Sequence, residues 1–226
     1  MAKKLSKRLQ AVASFVEQGS YLADIGADHA SLPIYLVSTG KISYAMAVEN
    51  KIGPFVRMKG NIEASGCSSS IHPSMSDGIS HISDEVNCLT LCGMGGLLAC
   101  EILEAHPEKL FGVQSIILDP HTDLKAVRER VSALGFHISD ETMVYEDKIY
   151  YSIIKFVSGA PKRPYTQSEL LFGPVNIRKR DAVFLEWMEL QRKKVSDILN
   201  KGLSQASRER YLNLYRLIAQ ELKETK

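Results

Sequence analysis

Five short polar clusters in this chain stand where an α/β protein can do chemistry. Asp24-Ile25-Gly26-Ala27-Asp28-His29 follows an apolar run, and Glu49-Asn50 ends a second. Asp77-Gly78 follows a third, Gly93-Met94-Gly95-Gly96 a fourth and Asp119-Pro120-His121 a fifth. Gly26 lets the chain turn tightly against a ligand, and Asp28 or His29 can hydrogen-bond it. A dinucleotide site needs G-x-G-x-x-G, so that a pyrophosphate can approach a helix N-terminus. Here the second and third glycine positions hold Asp28 and Ser31. An acid there repels pyrophosphate, which disfavours NAD and FAD, but it suits a cofactor carrying an ammonium and a sulfonium. Glu49 lies 23 residues beyond Gly26, where a carboxylate can accept both hydroxyls of a ribose. Asp77 can read an adenine amino group. Gly93–Gly96 offers bare backbone for a close approach, and no Lys-Ser/Thr follows it, so it is not a phosphate loop. Asp119 and His121 fall where a substrate meets the transferred group, His121 being a candidate general base.

These clusters need a frame that brings strand ends together. Short apolar runs at 20–26, 43–49, 70–75, 87–92 and 115–118 alternate with helical patterns at 31–39, 54–65, 97–104 and 124–134. Runs at 136–145 and 149–157 close as a hairpin around Glu146-Asp147-Lys148. The alternation predicts an α/β fold, a doubly wound parallel sheet with an antiparallel edge pair. In such sheets, ligands bind outside the carboxyl ends of the strands, which is where the five clusters stand.

The pattern changes at Gly159-Ala160-Pro161-Lys162-Arg163-Pro164, which reads as a linker. Residues 1–160 are expected to form the cofactor domain and 161–226 a helical hairpin. Phe184, Met188, Gln191, Val195 and Ile198 recur at helical spacing, Gly202 is a stop, and Tyr211, Leu214, Ile218 and Leu222 mark a second helix. The two predict an antiparallel hairpin with coiled-coil spacing. Residues 160–226 hold 14 Lys/Arg against 8 Asp/Glu, while the rest of the chain nets −4. Basic ends on an acidic body suggest a polyanionic partner. Lys3, Lys4, Lys7 and Arg8, then Lys162, Arg163, Arg178, Lys179 and Arg180, are the candidate nucleic-acid contacts. Cys67, Cys88, Cys92 and Cys100 have no zinc spacing, and no metal is expected. No run approaches a membrane span, and the start lacks a signal-peptide pattern, so a cytoplasmic protein, taken as a monomer, is expected.

The succession D-I-G-x-D-H-A-x-L-P, V-E, D-G, G-M-G-G and I-L-x-P, with Phe172-Gly173-Pro174 further on, resembles the bacterial TrmK family of tRNA (adenine-22, N1)-methyltransferases. The resemblance runs from Ser6-Lys7-Arg8-Leu9 to the last helix. It implies a Rossmann-like catalytic domain, a C-terminal coiled-coil hairpin, S-adenosylmethionine as cofactor and tRNA as partner. Carried over by position, Gly26, Asp28, His29, Glu49, Asn50, Asp77, Gly78, Gly93 and Met94 would line the cofactor site. One place departs: the family reads I-L-Q-P-N where this chain has Ile117-Leu118-Asp119-Pro120-His121. The expected activity is methyl transfer to N1 of an adenine in tRNA, with Asp119 and His121 at the base. The alternatives are a non-catalytic RNA-binding protein that keeps the cofactor pocket and a small-molecule methyltransferase.

Overall fold

In the computed structural model, which describes residues 5–223, the sheet is built from β1 (Tyr21–Ile25), β2 (Tyr44–Glu49), β3 (Ile71–Met75), β4 (Cys88–Met94), β5 (Ser115–Pro120), β6 (Phe136–Glu146) and β7 (Ile149–Ser158). Their order is β3-β2-β1-β4-β5-β7-β6. The first five are parallel, and the β6–β7 hairpin pairs antiparallel to β5 through β7. Crossovers through α2 (Ser31–Ser38), α3 (Ile52–Ala64), α4 (Gly96–Ala105) and α5 (Leu124–Ala133) put helices on the two faces. A parallel strand covered on both faces must be apolar throughout. Accordingly, β1 from Leu22, β2 from Ala45 and all of β5 are buried.

The structure adds a helix that the sequence expectation lacks. It is α1 (Lys7–Phe15), capped by the Ser6 hydroxyl, which accepts from the Leu9 amide at 3.2 Å. Its signal is present in the chain: Leu5, Leu9, Val12 and Val16 follow helical spacing behind a serine. All four pack in the cluster beneath α2 and β1. The Glu146 carboxylate, at the tip of the β6–β7 hairpin, accepts from the Lys7 and Arg8 amides at 2.7 and 3.1 Å. Two of the helix's unpaired amides are thereby satisfied by an anion at the positive end of its dipole.

Beyond residue 160 the chain continues on the sheet unit before it enters the hairpin. The Tyr165 hydroxyl accepts from the Ile138 amide at 2.9 Å. Thr166 and Glu169 form a reciprocal capping box for α6 (Gln167–Phe172), which α7 (Pro174–Lys179) follows. These short helices cover a buried ion pair. Arg128 Nε donates to Glu141 at 2.9 Å, and both side chains are at most 1% exposed. Arg128 also donates to the carbonyls of Leu170 and Leu171, while Glu141 accepts from the Val175 amide at 2.9 Å. A β-carbon on Gly173 would lie 2.3 Å from the Glu141 carboxylate, so only glycine lets this turn close over the pair.

The hairpin consists of α8 (Ala182–Leu199) and α9 (Gln205–Lys223). Phe184, Met188, Val195 and Ile218 are buried between them, with Met143 of β6 and Phe172 of α6 joining at the root. Arg180 donates to the carbonyls of Glu221 and Leu222, joining the end of α9 to the start of α8.

The expected domain boundary at residues 160 and 161 thus crosses contacts that belong to the sheet unit, and we propose that the separable unit begins at Asp181. Ending the chain after Arg180 should leave a cooperatively melting protein. Ending it after Pro161 should lower stability by about 3–5 kcal/mol, because it strips the partners from a buried charge pair. Urea melts followed by circular dichroism check this, and equal stability of the two truncations would contradict it.

Candidate active site

Parallel pairing gathers the carboxyl ends of β1, β2, β4 and β5 at one edge. Ile25 stands level with Val48 on one side and Leu91 on the other. The chain leaving β1 cannot start a helix at once. Gly26, Asp28 and Ala30 all have positive φ, at 73°, 41° and 53°, before α2 begins. Two non-glycine residues in the left-handed region within three positions mark a loop held by its surroundings, as functional loops often are. The Gly26 and Ala27 amides donate to the Val48 carbonyl at 2.9 and 3.0 Å, fastening the loop to β2.

Two cavities open at this edge and share Gly26. One, of about 180 Å³, is lined by Gly26, Glu49, Asn50, Asp77, Gly78 and Met94, among others. Its walls are apolar where Ile25, Val48, Leu98 and Ile102 contribute. The Glu49 carboxylate accepts from the Asn50 and Lys51 amides through Oε1, at 3.0 and 3.2 Å. That fixes the side chain and leaves Oε2 for a ligand hydroxyl. Asn50 Nδ2 donates to Asp77 at 3.0 Å, closing the far wall.

The second cavity, of about 290 Å³, is lined by Arg8, Leu9, Asp24, Gly26, Ala27, Asp28, His29, Ser31, Leu32, Cys92 and Gly93. Met94 divides the two, its Cε 3.3 Å from where a Gly26 β-carbon would stand. Gly93 lies at a bulge between Cys92 and Met94 with φ of 73°, and a β-carbon there would stand 3.6 Å from Arg8 Nη1. The nine residues expected at the cofactor thus all line one cavity or the other. Arg57 and His29 approach Asp28 at 3.4 and 3.6 Å, half-exposed pairs worth little in stability.

Sequence reasoning missed Asp24 and Arg8 as cavity residues. Asp24 is 6% exposed and accepts from the Thr90 hydroxyl at 2.7 Å. Burial raises its pKa to about 7, against the smaller lowering by Thr90. Its signal was its place at the end of an apolar strand beside a glycine. Arg8, expected on nucleic acid, instead turns inward. Its Nη1 donates to Asp119 Oδ2, and its guanidinium carbon lies 5.2 Å above the Tyr151 ring. Asp119 is wholly buried beneath it and does not face either cavity, with Oδ1 lacking a hydrogen-bond partner among the described residues. His121 is exposed and lines neither cavity, its ring 5.8 Å from that of Tyr151 in an edge arrangement.

The other basic candidates divide. Lys3 and Lys4 lie outside the described residues. Lys7, Lys162 and Arg178 are exposed. Arg163 pairs with Glu169, Lys179 pairs with Asp140 at 2.5 Å, and Arg180 is taken up by the end of α9. Their positions followed from charge alone, which says nothing about intramolecular partners. Among the described residues, no cluster of three or more His, Cys, Asp or Glu could hold a metal, and no helix is long and apolar enough to cross a membrane.

The Asp24 environment sets a pH dependence. Its proton is held more tightly in the folded chain than in the unfolded one, where the pKa is near 3.8. Stability therefore falls as pH rises from about 4 to about 7, and then levels. Asp24→Asn, which keeps an acceptor for Thr90, should exceed the cofactor-free parent in stability at pH 8 by on the order of 2–4 kcal/mol. The gap should shrink at pH 5. Urea melts at the two pH values check this, and a gap independent of pH would contradict it.

Residues 5–154 match the family model for a methyltransferase domain. The chain is 38% identical over 195 residues to the Bacillus subtilis tRNA (adenine(22)-N(1))-methyltransferase, covering 83% of this chain and 82% of that one. The crystal structure of the Bacillus subtilis tRNA methyltransferase TrmK superposes with a TM-score of 0.88 at 31% identity, over 97% of this chain and 99% of that one. A Streptococcus pneumoniae structure in complex with S-adenosyl-L-methionine gives 0.90 at 32% identity, over 97% and 100%. Two joined cavities on a Rossmann-like sheet, matched along nearly their whole chain, place this protein in the methyltransferase-domain family and, within it, in the bacterial TrmK family of tRNA (adenine-22, N1)-methyltransferases.

Proposed function

We propose that the chain transfers a methyl group from S-adenosylmethionine to N1 of an adenine in tRNA, in the cytoplasm. The observation that carries this reading is the pair of cavities meeting at Gly26, one fitted to an adenosine and the other to an amino-acid end. In the first, the spare oxygen of Glu49 suits ribose hydroxyls, Asp77 suits the adenine amino group, and Leu98 and Ile102 give the ring an apolar wall. In the second, Asp24 and Asp28 suit an ammonium. Such a site fits S-adenosylmethionine better than a dinucleotide, because its carboxylates repel phosphates.

When bound, the cofactor supplies a methyl group on a sulfonium, already a good leaving group. The protein's task is then mainly orientation. Met94 and Gly93, each lining one of the two cavities, would hold the cofactor where those cavities meet. Adenine N1 has a free lone pair at neutral pH, so no group need remove a proton before it attacks. Asp28, with Asp24 when it is ionised, would set a negative potential beside the cofactor's amino-acid end. N1 is a pairing atom, so the target base must be unpaired and swung out to reach the site. Of the two residues expected at the base, His121 is the one at the surface, next to Tyr151. The exposed Lys7, Lys162 and Arg178 and the basic hairpin supply the grip on the RNA backbone.

Incubation with tritiated S-adenosylmethionine and tRNA transcripts should label an adenine, and digestion with mass spectrometry should identify 1-methyladenosine. A protein that binds the cofactor and labels no tRNA would favour the non-catalytic alternative. Glu49→Ala should weaken cofactor binding by on the order of 10- to 100-fold, through loss of charge-assisted hydrogen bonds to the ribose. Calorimetry on the folded variant checks this, and unchanged affinity would remove Glu49 from the site.

A further inference from the structure

The β6–β7 hairpin ends in a post beside the two cavities. Leu118 of β5 is level with Ile154 of β7, and counting on in that register sets Ser152 level with Pro120, where β5 ends. Ile149 lies three residues further along, so the tip stands about 10 Å past the end of β5. Tyr151 ties the post to the site. Its ring lies under the Arg8 guanidinium and edge-on to His121, and Arg8 lines the second cavity. The His121 amide in turn donates to the Met94 carbonyl at 2.9 Å, and Met94 lines the first cavity.

The post is braced on both sides. Ile149 pairs with Glu146 across a two-residue loop, in which Asp147 and Lys148 have φ of 49° and 65°. Positive φ at both positions makes this the tight turn that follows the twist of its strands. Successive residues of a strand face opposite sides. On one side, Glu146 accepts from the Lys7 and Arg8 amides. On the other, the Tyr145 and Tyr150 rings lie 4.6 Å apart, and Tyr150 packs against the apolar cluster of the helical hairpin.

The Ile149 side chain shares the side of Glu146 and Tyr151, stays 51% exposed and lines neither cavity. A surface isoleucine is ordinary by itself. One fixed at the end of a braced post, past the strand ends that carry the site, is placed to meet a macromolecular substrate. Its neighbours argue against a charge contact: Asp147 and Lys148 have opposite signs, and Glu146 is engaged by amides. What such a tip can do is enter a stack of bases. Proteins that unstack nucleic acid insert apolar side chains, isoleucine among them, between neighbouring bases. A base swung out for chemistry leaves a gap of that kind.

We propose that Ile149 enters the gap that the target adenine leaves when it swings out, and so keeps the base from returning while it is in the site. This rests on the reading of the chain as a methyltransferase acting on an adenine in tRNA, and it assigns the hairpin tip to the RNA.

The probe is a synthetic tRNA with 2-aminopurine in place of the methylated adenine, because 2-aminopurine brightens when it leaves a stack. With S-adenosylhomocysteine present, the parent protein should brighten it. Ile149→Ala at saturation should brighten it less, and should lower kcat/KM for the ordinary tRNA by about 10-fold, since the cost of unstacking is then unassisted. Ile149→Leu should keep both. On a second tRNA, in which the nucleotide facing the target adenine is abasic, the deficit of Ile149→Ala should shrink. The double variant Asp147→Asn with Lys148→Gly, which keeps the turn and removes its charges, should methylate as the parent does. Equal brightening by parent and Ile149→Ala overturns the proposal. So does a kcat/KM deficit of the same size on both RNAs, which would make Ile149 a plain binding contact. A turn variant as impaired as Ile149→Ala overturns it too, by moving the contact to the charges. A parent that methylates no tRNA sinks the functional reading and the tip with it, whereas an active parent matched by Ile149→Ala sinks the tip alone.

Discussion

The register of β1 against its two parallel neighbours is the constraint on which the site depends. Ile25 is level with Val48 of β2 and Leu91 of β4, so Gly26, Glu49 and Gly93 emerge side by side at one edge. A slip of one residue would turn every side chain of a strand to the other face. It would carry Asp24 from Thr90 into the opposite layer and break the contact of Met94 over Gly26. The register is held because these strands are buried on both faces, each face packing its own helices. The site is therefore a consequence of core packing.

Three of the buried carboxylates, Asp24, Asp119 and Glu141, are each accommodated differently. Glu141 is met by Arg128 and by the amides of Val175 and Asn176, a closed network whose work is to fasten α6 and α7 to β6. Asp119 has one cation and a spare oxygen. Asp24 has only a hydroxyl, and burial raises its pKa to about 7, so that about half of it is protonated at pH 7. The least compensated of the three lines a cavity, and the next is one residue removed from it. A buried carboxylate without a protein cation is costly to ionise, and a ligand's ammonium offsets that cost on binding. Incomplete satisfaction here is consistent with a site that is completed by its ligand.

The α1 helix shows how distant segments combine. Its first amides are held by the tip of a hairpin some 140 residues away in sequence, and its arginine reaches the end of β5. Glu146, Arg8, Tyr151 and Asp119 form one connected wall, none of whose members is adjacent in the chain. The second cavity and the hairpin tip are thus joined through the first turn of α1 and an ion pair.

By itself, the sequence determined the alternation of strands and helices, because buried parallel strands must be apolar runs and the helices between them keep their own period. It also marked Gly26, Glu49, Asp77 and Gly93, because polar groups at the ends of apolar strands have one edge of the sheet to occupy. The terminal helices showed in the spacing of Phe184, Met188 and Val195. What it left to the tertiary structure was partnership. A basic residue reads the same in a chain whether it faces solvent or a partner, so nothing local tells that Arg8 meets Asp119 or that Arg180 meets the end of α9. Two prolines and a glycine read as a linker, and only the fold shows that Tyr165 and Val175, beyond it, pack against the core under the sheet. Asp119 was legible as a strand-end acid, but its burial behind Arg8 depends on where a helix over a hundred residues earlier comes to rest. Local pattern fixes which elements form, while long-range packing decides which charges meet.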